Sequence, residues 1–322
     1  MPNTAEKKSA SIPTDSFSRA ATKLLDDFRV QRPIRAGSLL ISVFGDAITP
    51  HGGTVWLGAL IRVLEGFGIN QRLVRTSVFR LVKDGWLETT QIGRRSFYSV
   101  TPEGRERFEE ASRRIYTEPR PEWPGTWTTV LLSGVAAEHR DTVRKELRWL
   151  GFAPFSANLL AHPAPDMSAV ESHLARHAVN DKLLIMDARV QGDRDDYLRK
   201  LVHDAWKLDE LGARYAEFSR RFRPIYRAAQ RVSQPDTEQA FQVRTLLIHE
   251  YRKVLLRDPL LPEALLPAKW TGVSAYQLCR NLYELITGPT ERFLTKNMET
   301  AEGLLPPAEP QYFQRFGGLA KP

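Results

Sequence analysis

Six side chains between positions 72 and 83 have the types and spacing for recognition chemistry: Arg72, Arg75, Thr76, Phe79, Arg80 and Lys83. Wound at about 100° per residue, Arg72, Arg75, Thr76, Phe79 and Lys83 fall on one side of a helix, with Arg80 flanking them. Val74, Val78, Leu81 and Val82 fall opposite, so one stripe can be buried while the other is presented. A guanidinium can make two hydrogen bonds to a guanine edge, a threonine hydroxyl can donate or accept, and a phenyl ring can touch a thymine methyl. Taken alone, the same pattern describes an ordinary amphipathic surface helix. Gly93-Arg94-Arg95 adds a second feature. Two adjacent arginines on a tight turn repel each other, and a phosphate backbone or a narrow minor groove would offset that repulsion. Together the two features point to double-stranded DNA as the partner.

The elements that must position these residues can be followed along the chain. Phe17, Ala21, Leu24, Leu25 and Phe28 suit a short helix inside a partly disordered leader over 1–36. An apolar face (Leu39, Leu40, Val43, Phe44, Ala47) predicts a helix over 38–48, closed by Thr49-Pro50-His51-Gly52-Gly53. A second helix is predicted from Thr54 to about Phe67. Asn70 is placed as the N-cap of a third, over 71–84, with Gly85 stopping it. Strands over 86–92 and 96–100 flank the basic turn, and Thr101-Pro102 opens a fourth helix. The order helix, helix, helix, hairpin, helix is that of a winged helix-turn-helix, expected over 37–117.

A Pro/Glu/Trp linker over 117–125 marks a boundary. Beyond it strands over 127–135, 152–160 and 182–190 alternate with helices over 138–150 and 167–178, which suits a ferredoxin-like α/β sandwich over 124–192 with a fourth short strand unplaced. Residues 193–303 read as a helical C-terminal domain for effector binding and dimerisation, with breaks at Pro224, Gln234-Pro235 and 259–267. The tail over 304–322 shows little periodicity and is expected to be loosely ordered. The fold class is α+β and multidomain.

Composition bounds the functions available. A chain of 322 residues with 42% hydrophobic and 26% charged side chains is long enough for two or three domains with real cores. No apolar run approaches the roughly 20 residues of a membrane helix, and the polar start has no secretory h-region, so a cytoplasmic protein without a membrane partner is expected. Cys279 stands alone, which excludes an intramolecular disulfide and a Cys-based zinc finger. Net charge is +8, and 18 Lys/Arg against 12 Asp/Glu through residue 117 place most of the excess in the first third. A solvated basic face would show the same excess; a polyanion partner gives it a use.

Catalytic patterns do not assemble. His173 and His177 have a metal-compatible spacing but no accompanying Glu or Cys pattern, and His249-Glu250 lacks a second histidine. Ser133-Gly134 is not a nucleophile elbow, and no Walker or dinucleotide fingerprint occurs. The expectation is a non-enzyme with no cofactor and no metal.

Longer motifs carry a family resemblance. They are Ser42-Val43-Phe44-Gly45-Asp46, His51-Gly52-Gly53, Val74-Arg75-Thr76-Ser77 with Arg80-Leu81, Gly85-Trp86-Leu87, and Gly93-Arg94-Arg95-Ser96-Phe97-Tyr98. Further on stand Ala205-Trp206-Lys207-Leu208-Asp209, Tyr215-Ala216-Glu217-Phe218, Arg257-Asp258-Pro259-Leu260-Leu261-Pro262, Leu265-Leu266-Pro267 and Trp270. Over roughly 37–295 the chain resembles the PaaX family, repressors of phenylacetic-acid catabolism. The resemblance implies a DNA-binding N-terminal domain, a homodimer, and release from the operator by an aryl-acyl-CoA, typically phenylacetyl-CoA. Candidate effector residues are Trp206, Tyr215, Arg221, Arg223, Arg252, Arg257 and Trp270, whose arginines suit phosphates and whose aromatics suit the rest of a CoA thioester. Each of those arginines also reads as a helix-surface residue. The central domain further resembles CRISPR-associated metal-dependent endonucleases, but Leu131-Leu132-Ser133-Gly134 offers no carboxylate for a metal. The rival reading is an acyl-CoA-binding protein or enzyme whose N-terminal module docks another protein.

Overall fold

Asp15 opens the first ordered segment: its carboxylate accepts from Ser18 N at 2.7 Å and caps α1 (Ser16–Arg29), whose buried side is Phe17, Ala21, Leu24, Leu25 and Phe28. The computed structural model describes residues 15–33, 35–117, 122–176, 183–192 and 194–319. Residues 1–14 of the leader, 118–121 of the linker, the end of the 167–178 helix, the side chains of the His173 and His177 pair, and 320–322 lie outside the described residues.

α2 (Ala36–Val43) continues into a π-helical turn (Phe44–Ile48) and a 3-10 turn (Thr49–His51) that stops at Gly52 in the left-handed region, φ 90°. The helix expected from Thr54 begins late. Thr54, Val55 and Trp56 form β1 (Thr54–Trp56), and α3 (Leu57–Glu65) follows. Branched and aromatic side chains suit a strand, and β1 has a partner that only the tertiary fold supplies. α4 (Gln71–Lys83), β2 (Leu87–Ile92), β3 (Arg95–Val100) and α5 (Pro102–Tyr116) complete this region. The sheet order is β1-β3-β2, all antiparallel, with Trp56 opposite Phe97 and Ile92 opposite Arg95. α4 packs on α2 and α3, with Leu39, Leu40, Val43, Leu60, Leu64, Val74 and Val78 fully buried.

β4 (Thr126–Leu131), α6 (Ala137–Trp149), β5 (Ala153–Pro154), β6 (Leu159–His162), α7 (Met167–Arg176) and β7 (Leu184–Arg189) follow. Their sheet runs β5-β6-β4-β7 with every pair antiparallel. The chain thus forms two strand–helix–strand halves. Val130, Leu132, Val143, Leu147, Leu160, Val170 and Leu174 fill the space between sheet and helices. The single strand expected over 152–160 is really two, and the missing fourth strand is the two-residue β5.

The remaining elements are α8 (Asp195–Ala205), α9 (Leu208–Ala229), α10 (Thr237–Leu255), α11 (Thr271–Asn297), β8 (Glu299–Thr300) and β9 (Gly303–Leu304). Pro224 does not break the chain as expected but lies inside α9. It is exposed, as is Arg220 one turn earlier, so the carbonyl that loses its helical donor can be hydrated. Two units result: 1–109 with 221–249 and 278–322, and 110–220 with 250–277. The helical segment over 193–303 is therefore divided between them. The tail is not loose. Residues Pro310–Gly317 form 3-10 turns broken by a kink at Arg315 and Phe316, with Tyr312, Arg315 and Phe316 buried, and Glu309 N donates to Pro50 O at 2.8 Å. No helix among the described residues is long and apolar enough to cross a membrane.

Candidate nucleic-acid interface

α4 presents its polar stripe as the spacing demands. Asn70 Oδ1 accepts from Leu73 N at 2.9 Å, which fixes the start of the helix, and Val74, Ser77, Val78 and Leu81 face inward. Arg72, Arg75, Thr76, Phe79, Arg80 and Lys83 are all exposed. Phe79 leaves 68% of its surface in water. Thr76 Oγ1 donates to Arg72 O at 2.9 Å and keeps its lone pairs for another donor. With its amide turned so that oxygen faces the guanidinium, Gln71 accepts from Arg75 at 3.0 and 3.1 Å. Arg72, Arg80 and Lys83 have no ion pair among the described residues.

The hairpin turn is Gly93-Arg94, between the paired residues Ile92 and Arg95. Gly93 has φ 59° while Arg94 keeps an ordinary negative φ, the arrangement of a type II′ hairpin turn. Arg94 is exposed at the tip. Arg95 differs from it. As the first residue of β3 it lies 4.3 Å from the Trp56 ring centroid and donates from Nη1 to Glu299 Oε2 at 3.2 Å. The adjacent arginines are therefore not equivalent: one is free and one is engaged.

Behind this surface lies a buried ionic cluster that the sequence analysis did not identify. Arg244 donates from Nε to Asp46 Oδ2 at 2.9 Å and from Nη1 to Glu291 Oε1 and the Tyr312 hydroxyl, each at 2.8 Å. Arg315 donates from Nη1 to Asp46 Oδ1 at 3.1 Å and to the Tyr283 hydroxyl at 2.8 Å. Each tyrosine passes the bond on, Tyr283 to Asp46 and Tyr312 to Glu291, both at 2.9 Å. His51 donates from Nδ1 to Pro306 O, and its Nε2 lies 3.1 Å from Glu291 Oε2. Burial works against the Glu291 charge, but His51 and the Arg244 guanidinium beside it outweigh burial and hold the pKa down to about 2. Burial likewise opposes the Arg244 charge, and Asp46, the two tyrosines and Glu291 overcome it and raise its pKa. Asp46 and His51 belong to the turn between α2 and β1, so the cluster fixes that turn to α10, α11 and the tail. Nothing local in the sequence signals it, because Asp46 and Arg244 are 198 positions apart.

Of the candidate effector residues, Trp206, Tyr215, Arg252, Arg257 and Trp270 belong to one unit. Trp206 donates from Nε1 to Gly151 O at 2.8 Å and packs near Trp127 and Phe155. Tyr215 is buried, donates to Asp258 Oδ2 at 2.7 Å and meets Trp270 edge-on at 6.0 Å. Burial lowers the pKa of Arg252, against a smaller raising effect of Tyr116, and Arg257 is exposed. Arg221 and Arg223 fall in the other unit. Among the described residues no group of three His, Cys, Asp or Glu is placed to hold a metal ion.

Comparisons with known proteins agree along the chain. Residues 35–104 match the PaaX-like protein model, 120–198 the PaaX protein central Cas2-like domain, and 206–296 the PaaX-like protein C-terminal domain. The transcriptional repressor PaaX of Escherichia coli (strain K12) is 40% identical over 289 residues, covering 89% of this chain and 92% of that protein. A solved structure, the uncharacterized protein Rv0674 from Mycobacterium tuberculosis, is 21% identical with a TM-score of 0.46, covering 72% of this chain and 90% of that one. With three family models in order and this identity, the chain belongs to the PaaX-like family.

Proposed function

We propose that this protein is a DNA-binding transcriptional repressor of phenylacetate catabolic genes, in which residues 37–117 form a winged helix-turn-helix with α4 as the reading helix and Arg94 at the wing tip. The observation that carries the reading is the outward basic face of α4, backed by a buried apolar stripe and set beside the hairpin. The relationship to a transcriptional repressor supports it. The antiparallel β1-β3-β2 sheet supports the winged form, and the β5-β6-β4-β7 order supports a ferredoxin-like central domain.

In this reading two copies bind a near-palindromic operator as a homodimer, with α4 of each in successive major grooves and the wings on flanking backbone. An aryl-acyl-CoA such as phenylacetyl-CoA releases the complex. It needs to favour the DNA-incompetent state by only about 1–3 kcal/mol to work as a switch. If each subunit makes about four to six phosphate contacts, log K for the dimer falls with log[salt] at a slope of roughly −7 to −11.

A gel shift with the chain's own upstream DNA, with and without phenylacetyl-CoA, is the direct test. Arg75→Ala and Arg80→Ala should each weaken operator binding, and at least one should relax sequence choice. Unchanged shifts for both variants would remove α4 from the reading surface and favour the docking-module alternative.

A further inference from the structure

Arg62 on α3 and Arg95 on β3 come from separate elements and converge on one carboxylate. Arg62 Nη2 lies 2.7 Å from Glu299 Oε1, and Arg95 Nη1 lies 3.2 Å from Glu299 Oε2. Each carboxylate oxygen thus takes one guanidinium. Both guanidinium groups also lie over the Trp56 ring, at 5.1 Å and 4.3 Å from its centroid. The ring rests against the first turn of α3 because position 58 is glycine. A Cβ there would fall 2.4 Å from Trp56 Cζ2.

This arrangement is built rather than incidental, yet it remains open to solvent. The side chains of Arg62 and Arg95 are 52% and 55% exposed, against 28% for Glu299. Two guanidinium donors, one on each of two oxygens that share a negative charge, can also hold a phosphodiester. Glu299 reaches the site from β8, at the end of α11, where a two-stranded turn pairs Glu299 with Leu304 and Thr300 with Gly303. Arg94, the free wing-tip cation, is the immediate neighbour of Arg95 in the chain.

We propose that Arg62 and Arg95, stacked on Trp56, form a phosphate-binding pair, and that the Glu299 carboxylate occupies it as an internal stand-in for nucleic-acid phosphate. The C-terminal hairpin therefore competes with the DNA backbone for two cations and lowers affinity without touching a base. This inference rests on the DNA-binding reading above and adds to it a residue from outside the reading domain.

The test is binding of the full chain to a random-sequence duplex over a salt series, because phosphate contacts carry no sequence information. Glu299→Gln keeps the side-chain size and removes the charge. The expected result is tighter binding at low salt and a slope of log K against log[salt] steeper by about 1 to 2. Each added contact then deepens the loss over a fourfold rise in salt by roughly threefold. Arg95→Ala should undo most of that gain in the Glu299→Gln background, and its effect there should exceed its effect in the parent chain. Should Glu299→Gln melt early, Glu299→Asp keeps the charge but cannot span both arginines, and an intermediate slope is expected. Unaltered affinity and slope in Glu299→Gln, with the parent chain binding and Arg75→Ala weakened, overturn the phosphate pair and leave the reading helix standing. No duplex binding by the parent chain at low salt overturns the DNA reading itself and this site with it.

Discussion

Arg244→Met should unfold the first unit far more easily than any surface change. Arg244 is fully buried and holds two carboxylates, Asp46 and Glu291, together with the Tyr312 hydroxyl. Methionine fills much of the same volume, so the loss is electrostatic rather than a cavity. With Arg244 gone, Arg315 still pairs with Asp46 and His51 still faces Glu291, but two buried negative charges are left under-compensated. Breaking one side of a buried ionic cluster costs about 3–5 kcal/mol, a large fraction of the 5–15 kcal/mol that roughly bounds a whole domain. Urea unfolding at neutral pH, with hydrogen exchange over 237–249 to localise the transition, measures it. The deficit should shrink as pH falls below about 4.5, since protonation removes the stranded charge. The double variant Arg244→Met, Glu291→Gln should recover much of the stability, because one cation and one carboxylate are then removed together and Asp46 keeps Arg315. A loss below about 1 kcal/mol for Arg244→Met alone, or a double variant no better than the single one, would refute the view that charge balance holds this turn.

Two smaller predictions follow from local geometry. His162 is buried, accepts from Ala164 N through Nδ1 at 3.0 Å, and is kept neutral by desolvation, against a raising backbone bond to Pro259, with its pKa down to about 4. The unfolded chain takes up a proton below about 6.5 that the folded chain refuses, so stability present above that pH is lost as pH falls toward 4, by about 3 kcal/mol in all. Thermal melts over this window should show the parent losing stability as pH falls while His162→Asn stays flatter, so that the two approach each other toward pH 4, and parallel curves would count against the histidine. Asn70→Ala removes the cap on α4 and should cost about 1 kcal/mol, with a matching loss of duplex affinity. Full affinity in that variant would mean the start of α4 does not need fixing for binding.

Sequence spacing was sufficient wherever a segment's own residues set its structure. α4 begins at a capping Asn70, buries Val74, Val78 and Leu81, and shows its cations outward because each of those choices is made within four residues. β1 was misread as helix because three residues carry no period, and its partner Phe97 is contributed from beyond α4. β5 has only two residues and could not announce itself. The tail looked loose because Tyr312, Arg315 and Phe316 anchor it singly, and Arg315 reaches Asp46 across 269 positions. The Gly45-Asp46 and His51-Gly52-Gly53 motifs carried resemblance without a visible physical reason. That reason is Arg244, Glu291 and Arg315, which no local pattern connects to them.

A physical argument for a partner on α4 comes from comparing it with helical cations elsewhere in the chain. Arg144, Arg199, Arg220, Lys253 and Arg280 each sit three or four residues from an acid and pair with it. Such pairs contribute roughly 0.2–0.5 kcal/mol each to a helix, and like charges at the same spacing cost a similar amount. α4 takes the opposite course. Arg72 and Arg75, and Arg80 and Lys83, stand three apart with no carboxylate anywhere between Gln71 and Lys83. A helix placed only for packing would gain stability from an acid three or four residues from any of these cations. An external anion would offset that repulsion, and a duplex phosphate backbone would supply one.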